Sequence, residues 1–276
     1  MCTTKDSMLA QVDRTVVSAD GTVLSVSEAG TGRAVVIVGG AFDHRGTPYL
    51  DRVVQALATD HRVVTYDRRG RGSSGDTTPW SIEREADDFR AVTESIQSPV
   101  TALGICVGVG VVLHGIAAGA PVDGALLWEP PYRASVDPHA EDVVFADLLD
   151  EHIASGRRGA AVRAFLAQVL DVPMGQIAGL RLKPTLWRAL LADAHVLARD
   201  VRMLNGLAIP ERALASVGVP VLVASGTDSP NWMGPAARAA AEAIPGSEHT
   251  VVPGQGHVPD PDALHGLLAQ VRTAQH

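Results

Sequence analysis

The segment Gly104-Ile105-Cys106-Val107-Gly108 holds the strongest chemical signal in the chain. It follows the outline G-x-S-x-G, in which a nucleophile stands on a sharp strand-to-helix turn, with cysteine in the serine position. Its flanks suit that geometry: Pro99 to Leu103 is an apolar run of strand length, and Val107 to Ala118 is small and apolar at helical spacing. The two glycines leave room where side chains would strike the neighbouring strand and helix. A thiol at a helix N-terminus feels the positive end of the aligned peptide dipoles, which favours thiolate. The apolar neighbours Ile105 and Val107 act the other way, because a dry environment favours the neutral thiol. A buried cysteine packing as a small hydrophobe is the plain alternative.

Partners for such a thiol stand just past the other apolar runs. Ala34 to Val38 leads into Gly39-Gly40-Ala41-Phe42, a small-residue turn whose amides can face a cleft. Gly124 to Trp128 leads into Glu129, Val221 to Ala224 into Gly226-Thr227-Asp228, and Glu248 to Val252 into Gly254-Gln255-Gly256-His257. In parallel sheets these loops gather on one rim. A thiol, two carboxylates and a histidine there can form a nucleophile, a base and its orienter. Glu129 stands before Pro130-Pro131 with no evident structural task, whereas Asp228 can cap the turn before Pro230. The preference goes to Glu129, and Asp228 stays open.

The elements that must position these groups alternate. Thr15 to Ser18 and Val23 to Ser27 read as strands around Ala19-Asp20-Gly21, a hairpin signal. Helical spacing marks Pro48 to Thr59, Ser81 to Gln97, Pro235 to Ala243 and Pro261 to Thr273, and Arg62 to Tyr66 is a further buried strand. The strand pattern lapses after Glu129-Pro130-Pro131. Residues 137–216 read as helices alone: Ala140 to Ile153, Gly159 to Leu170, Met174 to Arg181 and Leu186 to Arg199. The expected organisation is an α/β core from 1–136 and 217–276, with a mostly parallel sheet flanked by helices, and a helical cap inserted at 137–216.

Composition narrows the function. With 46% hydrophobic and 20% charged residues the chain is in the globular range. A net charge of −8, and Arg68-Arg69-Gly70-Arg71 as its only basic cluster of note, argue against a nucleic-acid partner. No apolar run reaches membrane-spanning length, and Met1 to Val12 lacks the pattern of a signal peptide. Cys2 and Cys106 are the only cysteines, so a structural disulfide is not expected and a cytoplasmic setting is the simple reading. Neither a cofactor nor a metal is called for, and a homodimer stays open.

Taken together, several segments resemble the α/β-hydrolase superfamily, and most closely its actinobacterial members. They are Val38-Gly39-Gly40-Ala41, Tyr66 to Asp76 (YDRRGRGSSGD), Gly104 to Gly108, Glu129-Pro130-Pro131 and Ser229 to Met233 (SPNWM). The resemblance runs from about Val16 to Val271. It implies Cys106 as nucleophile, His257 as general base, and the N–H groups of Ala41 and Val107 as an oxyanion hole. The order nucleophile, acid, histidine is also that of the elbow hydrolases. The acid usual in this family, four positions along after the later strand, is Ser229 here. Haloalkane-dehalogenase-like members place theirs where Glu129 stands. The charged loop Asp67, Arg68, Arg69 and Arg71 reads as a structural brace. Phe42, Ile105, Phe145, Trp187 and Trp232 are expected around the substrate pocket.

The resemblance also marks a departure, since the family's His-Ser is Ile105-Cys106 in this chain. A cysteine at this point resembles dienelactone hydrolases and some natural-product thioesterases and acyltransferases. Thiolate leaves more readily than alkoxide or an amine anion, so an adduct on sulfur goes forward only when the competing leaving group is good. The expectation is therefore hydrolysis, acyl transfer or cyclisation of an activated acyl group: a thioester, a lactone or an activated ester. Two alternatives remain: non-covalent cyclase, isomerase or lyase chemistry on a hydrophobic substrate, and ligand binding without turnover.

Overall fold

The computed structural model describes residues 11–133 and 142–271. Its strands are β1 (Val12–Val17), β2 (Val23–Ala29), β3 (Arg33–Val38), β4 (His61–Tyr66), β5 (Val100–Ile105), β6 (Gly124–Trp128), β7 (Val221–Gly226) and β8 (Glu248–Val252). They form one eight-stranded sheet in the order β1-β2-β4-β3-β5-β6-β7-β8. The first hairpin forms the expected antiparallel edge, with β2 also antiparallel to β4, and every later pairing is parallel. β5, β6 and β7 are buried along their whole length, which is why they read as unbroken apolar runs. The two edges, β1 and β8, are mostly exposed or half-buried.

Helices cover this sheet. α1 (Pro48–Leu57) buries Leu50, Val53, Val54 and Leu57 on one face, the spacing expected of an amphipathic helix. α2 (Ile82–Glu94) is capped by Ser81, whose Oγ accepts the Arg84 N–H at 3.3 Å, an interaction worth about 1 kcal/mol. α3 (Gly108–Ala117) packs against α2, and the Phe89 ring fills the space that a Cβ on Gly115 would need. The crossover between β6 and β7 holds α4 (Asp142–Ala154), α5 (Arg158–Gln168), α6 (Met174–Leu180), α7 (Pro184–Ala192), α8 (Leu197–Met203) and α9 (Glu211–Ala215). α10 (Met233–Ala243) and α11 (Pro261–Leu268) complete the chain, and α11 packs on α1. No helix among the described residues is long and apolar enough to cross a membrane.

Two details differ from the sequence expectation. The single helix expected over Leu186 to Arg199 is broken by a 3-10 turn at Asp193–Val196. There the His195 ring bonds the carbonyls of Ala192 (2.9 Å) and Gly70 (3.0 Å), so contact with the core loop overrides helical propensity. α9 falls in the segment expected as cap but packs against α3 and α10 of the core. The expected boundary at 136/137, the start of the first cap helix at Ala140, the end of the last helix at Thr273, and Cys2 all lie outside the described residues.

Several further contacts tie the helical crossover to the core loops. Arg68 and Arg71 both form ion pairs with Asp200 of α8. Phe42 meets Phe165 of α5 edge to face, with ring centroids 5.7 Å apart. The Asp-Arg loop is a buried brace, as expected: Arg69 grips Asp88 through two bonds of 2.6 and 2.7 Å, and Arg68 pairs with Glu85. Asp67 accepts the N–H groups of Arg45 and Ser73, each at 2.8 Å. Arg71 also donates to the Ala41 carbonyl at 3.3 Å, which links the brace to the turn after β3.

Candidate active site

The elbow is where the sequence placed it. β5 ends at Ile105, and Cys106 takes a left-handed backbone with φ 53°, a conformation that costs a non-glycine residue about 1–2 kcal/mol. Two hydrogen bonds impose it. The Cys106 N–H donates to the Trp128 carbonyl at 3.0 Å, and the Cys106 carbonyl accepts the Val109 N–H at 3.0 Å, opening α3. A Cβ on Gly108 would collide with the carbonyls of Val38 and Gly39, and one on Gly104 would come within 3.0 Å of Val109 Cα. Both motif glycines are therefore sterically required, and they set the thiol at the mouth of a cavity while leaving it 4% exposed.

Glu129 follows β6 directly and also has a positive φ, 47°. Its carboxylate is fully buried and every bond it needs is supplied. Oε2 lies 2.8 Å from His257 Nδ1, while Oε1 accepts the Gly226 N–H at 2.8 Å and the Ser229 hydroxyl. A side chain at Gly226 would strike the Gln255 carbonyl, so glycine is required beside this bond. His257 is pinned from its backbone by the Trp128 indole N–H, 3.2 Å from the His257 carbonyl. Asp228, by contrast, is exposed and accepts only the Thr227 hydroxyl at 2.9 Å, with its backbone N–H on the Gln255 carbonyl. Of the two candidate carboxylates, Glu129 is the one brought to His257.

The electrostatics arise from this packing. Burial opposes charge on His257, but the charge and hydrogen bond of Cys106, followed by those of Glu129, outweigh it and push the imidazole up to about 10. The His257 ring thus lies between the Cys106 sulfur and the Glu129 carboxylate, and both stabilise its protonated form. The N–H groups of Ala41 and Val107 donate no hydrogen bond among the described residues, so both amides are free beside the thiol. Ala41 itself lines the cavity with Cys106 and His257.

Comparisons with known proteins place the fold. Residues 34–268 match a family model described as the Alpha/beta hydrolase family. The chain belongs to that family. No curated protein matches it in sequence. Among solved structures, it resembles an alpha/beta hydrolase from Sphaerobacter thermophilus at 35% identity and TM-score 0.84, covering 93% of this chain and 99% of that one. An esterase from Rhodococcus sp. is 24% identical, with TM-score 0.65 and coverage of 94% and 97%. An enol-lactonase from Burkholderia xenovorans is 18% identical, with TM-score 0.70 and coverage of 92% and 98%. At those identities the last two speak for the fold.

In this α/β hydrolase the cavity holds about 200 Å³. Phe42, Ile105, Leu170 and Val258 supply its apolar wall, so Phe42 and Ile105 stand where the sequence put them. Phe145, Trp187 and Trp232 do not line it. Phe145 and Trp187 pack against the hydrophobic core, and the Trp232 ring lies under the Arg133 guanidinium, 4.5 Å away. Few large aromatics are available to fill this core, and packing claims Phe145 and Trp187. Leu170 and Val258 escaped the sequence reading, and so did two polar cavity residues, Asp43 and Tyr49. The only signal for these last two was their position just beyond the glycine turn, and neither belongs to a motif that carries chemistry. Away from the rim, Asp60, His61 and His265 bring ligand atoms within 4.8 Å of one another, with both rings bonded to Asp60 Oδ1.

Proposed function

We propose that the protein is a cysteine-dependent acyl-transfer enzyme acting on an activated acyl substrate, a thioester, lactone or activated ester, which it hydrolyses or passes to another nucleophile. The observation that carries this reading is Cys106 on its left-handed elbow, joined to His257 and through it to the buried Glu129. The Cys106 thiolate attacks the carbonyl carbon, a C–S bond forms, and the carbonyl π pair moves onto oxygen, where the Ala41 and Val107 amides receive it. The adduct collapses with loss of the leaving group, which takes its proton from the His257 imidazolium. Water or another acceptor then gives its proton to His257, attacks the acyl-thioester, and restores the thiolate–imidazolium pair.

The chemistry of sulfur supports activated acyl groups, because a tetrahedral adduct expels the better leaving group and thiolate is better than alkoxide. The cavity supports a small acyl part, since about 200 Å³ lies below the roughly 300 Å³ at which drug-sized ligand pockets begin. The test pairs a thioester with its oxygen ester. Wild type should prefer the thioester, Cys106→Ser should keep only weak hydrolysis, and iodoacetamide should inactivate in step with alkylation of Cys106. Unchanged turnover after complete alkylation, or in Cys106→Ala, would replace this reading with non-covalent catalysis.

A further inference from the structure

The cavity wall carries two polar groups with no work in the mechanism above. Asp43 follows the glycine turn after β3, and Tyr49 stands in the first turn of α1. Asp43 Oδ2 accepts the Gly40 N–H at 2.9 Å, and Oδ1 has no hydrogen bond among the described residues. Asp43 forms no ion pair there either; the charges that reach it, from His257, His44 and Arg71, act across space. It stands close to the nucleophile. Its Oδ2 lies 3.4 Å and the Cys106 Cβ 3.6 Å from the point where a Cβ on Gly40 would be. The Tyr49 hydroxyl is buried with no partner.

Burial pushes the Asp43 carboxyl above its usual range, and burial followed by the nearby Asp43 charge raises Tyr49 as well. Both shifts run toward the proton-bearing form. Of the two, the Tyr49 hydroxyl is a buried polar atom with no partner, a state that requires an explanation. Phe42, Ile105, Leu170 and Val258 are apolar and cannot provide a partner.

We propose that Asp43 and Tyr49 form a hydrogen-bonding subsite for a second oxygen on the acyl substrate, an acceptor such as a keto group near the scissile carbonyl. The enzyme then selects oxo-acyl over plain alkanoyl groups. A site built to hydrogen-bond a substrate oxygen discriminates strongly against the analogue that lacks it, because its own polar groups are left unpaired. This inference rests on the acyl-transfer reading for its substrate but on different residues for its selectivity.

The test uses the N-acetylcysteamine thioesters of 3-oxobutanoic and butanoic acids, which match in length and differ by one oxygen near the scissile bond. For each substrate kcat/KM is measured in wild type, Tyr49→Phe, Asp43→Ala and Asp43→Asn. Tyr49→Phe and Asp43→Ala should lower kcat/KM for the oxo substrate by about 10–100-fold and leave the butanoyl substrate within about threefold. Asp43→Asn keeps an N–H donor and should recover most of the loss. Equal losses on both substrates, no loss on either, or an Asp43→Asn variant as poor as Asp43→Ala would each overturn the subsite. Calorimetric titration of Cys106→Ala protein with the same two thioesters separates this from the covalent reading. Tighter binding of the oxo form, lost in the Tyr49→Phe double variant, upholds the subsite even if wild type never acylates. Equal binding of the two forms rejects it even if acylation proceeds.

Discussion

The loop after β6 and the loop after β7 each present a carboxylate on the same rim, just beyond a fully buried strand. Glu129 is sealed from solvent, with its two oxygens held by the Gly226 amide, the Ser229 hydroxyl and the His257 ring. Asp228 faces water and bonds its neighbour Thr227. Both loops belong to one structural unit, because the Ser229 that steadies Glu129 stands one residue past Asp228. Position on a rim therefore does not make an orienting acid. Hydrogen bonds already in place do, since they aim the carboxylate at the imidazole before substrate arrives.

Neutralising each carboxylate without changing its shape tests this contrast most severely. Glu129→Gln should lower kcat/KM by about three to four orders of magnitude, the scale on which a triad loses function when its acid is replaced by an amide. Asp228→Asn, measured in the same assay, should stay within about twofold of wild type. The reverse ranking would transfer the role to the β7 loop, and two mild effects would leave His257 working alone.

Why the carboxylates were hard to rank, and the elbow was not, has a physical reason. The elbow is a local device: strand, left-handed turn and helix are adjacent in sequence, and steric need writes Gly104 and Gly108 beside Cys106. The parallel strands were legible because burial on both faces demands unbroken apolar runs, as in Val100 to Leu103. The acid depends on contacts about 100 residues apart, Glu129 with Gly226, Ser229 and His257, which no local pattern records. Trp187 and Trp232 are absent from the wall of the Cys106 cavity for a related reason. Trp187 and Trp232 lie in the helical crossover and after β7, where the choice between cavity and packing is made by tertiary neighbours such as Arg133. Asp43 and Tyr49 gave no signal beyond their place after the glycine turn.

The two carboxylates should also separate by pH. His257 is raised to about 10 in the folded protein against about 6.5 when free, so its favourable contribution is full below about pH 6.5. That contribution is lost as pH rises through about 10. Both unfolding free energy and kcat/KM should decline on the alkaline side of this window. Glu129→Gln removes one of the two groups holding the charge and should move the alkaline limb of kcat/KM to lower pH, whereas Asp228→Asn should leave it in place. Titration of the two variants beside wild type checks this, and an unmoved limb in Glu129→Gln would mean that Glu129 does not govern the imidazole.

Ser229→Ala gives the smallest effect. It leaves Glu129 Oε1 with one donor in place of two, which should cost about 1 kcal/mol. For a chain of this size that lowers Tm by about 2–4 °C, and activity should fall severalfold rather than by orders of magnitude. Thermal unfolding and a single-substrate assay measure both.

The decisive question is whether sulfur becomes covalently bound to substrate. It is answered by the intact mass of the protein, quenched in acid during turnover of a 3-oxobutanoyl thioester. The expected result is the addition of one acyl group, mapped by fragmentation to the peptide containing Cys106, and its absence from a Cys106→Ala protein that no longer turns over. Steady turnover with Cys106 unmodified, together with an active Cys106→Ala protein, would contradict it.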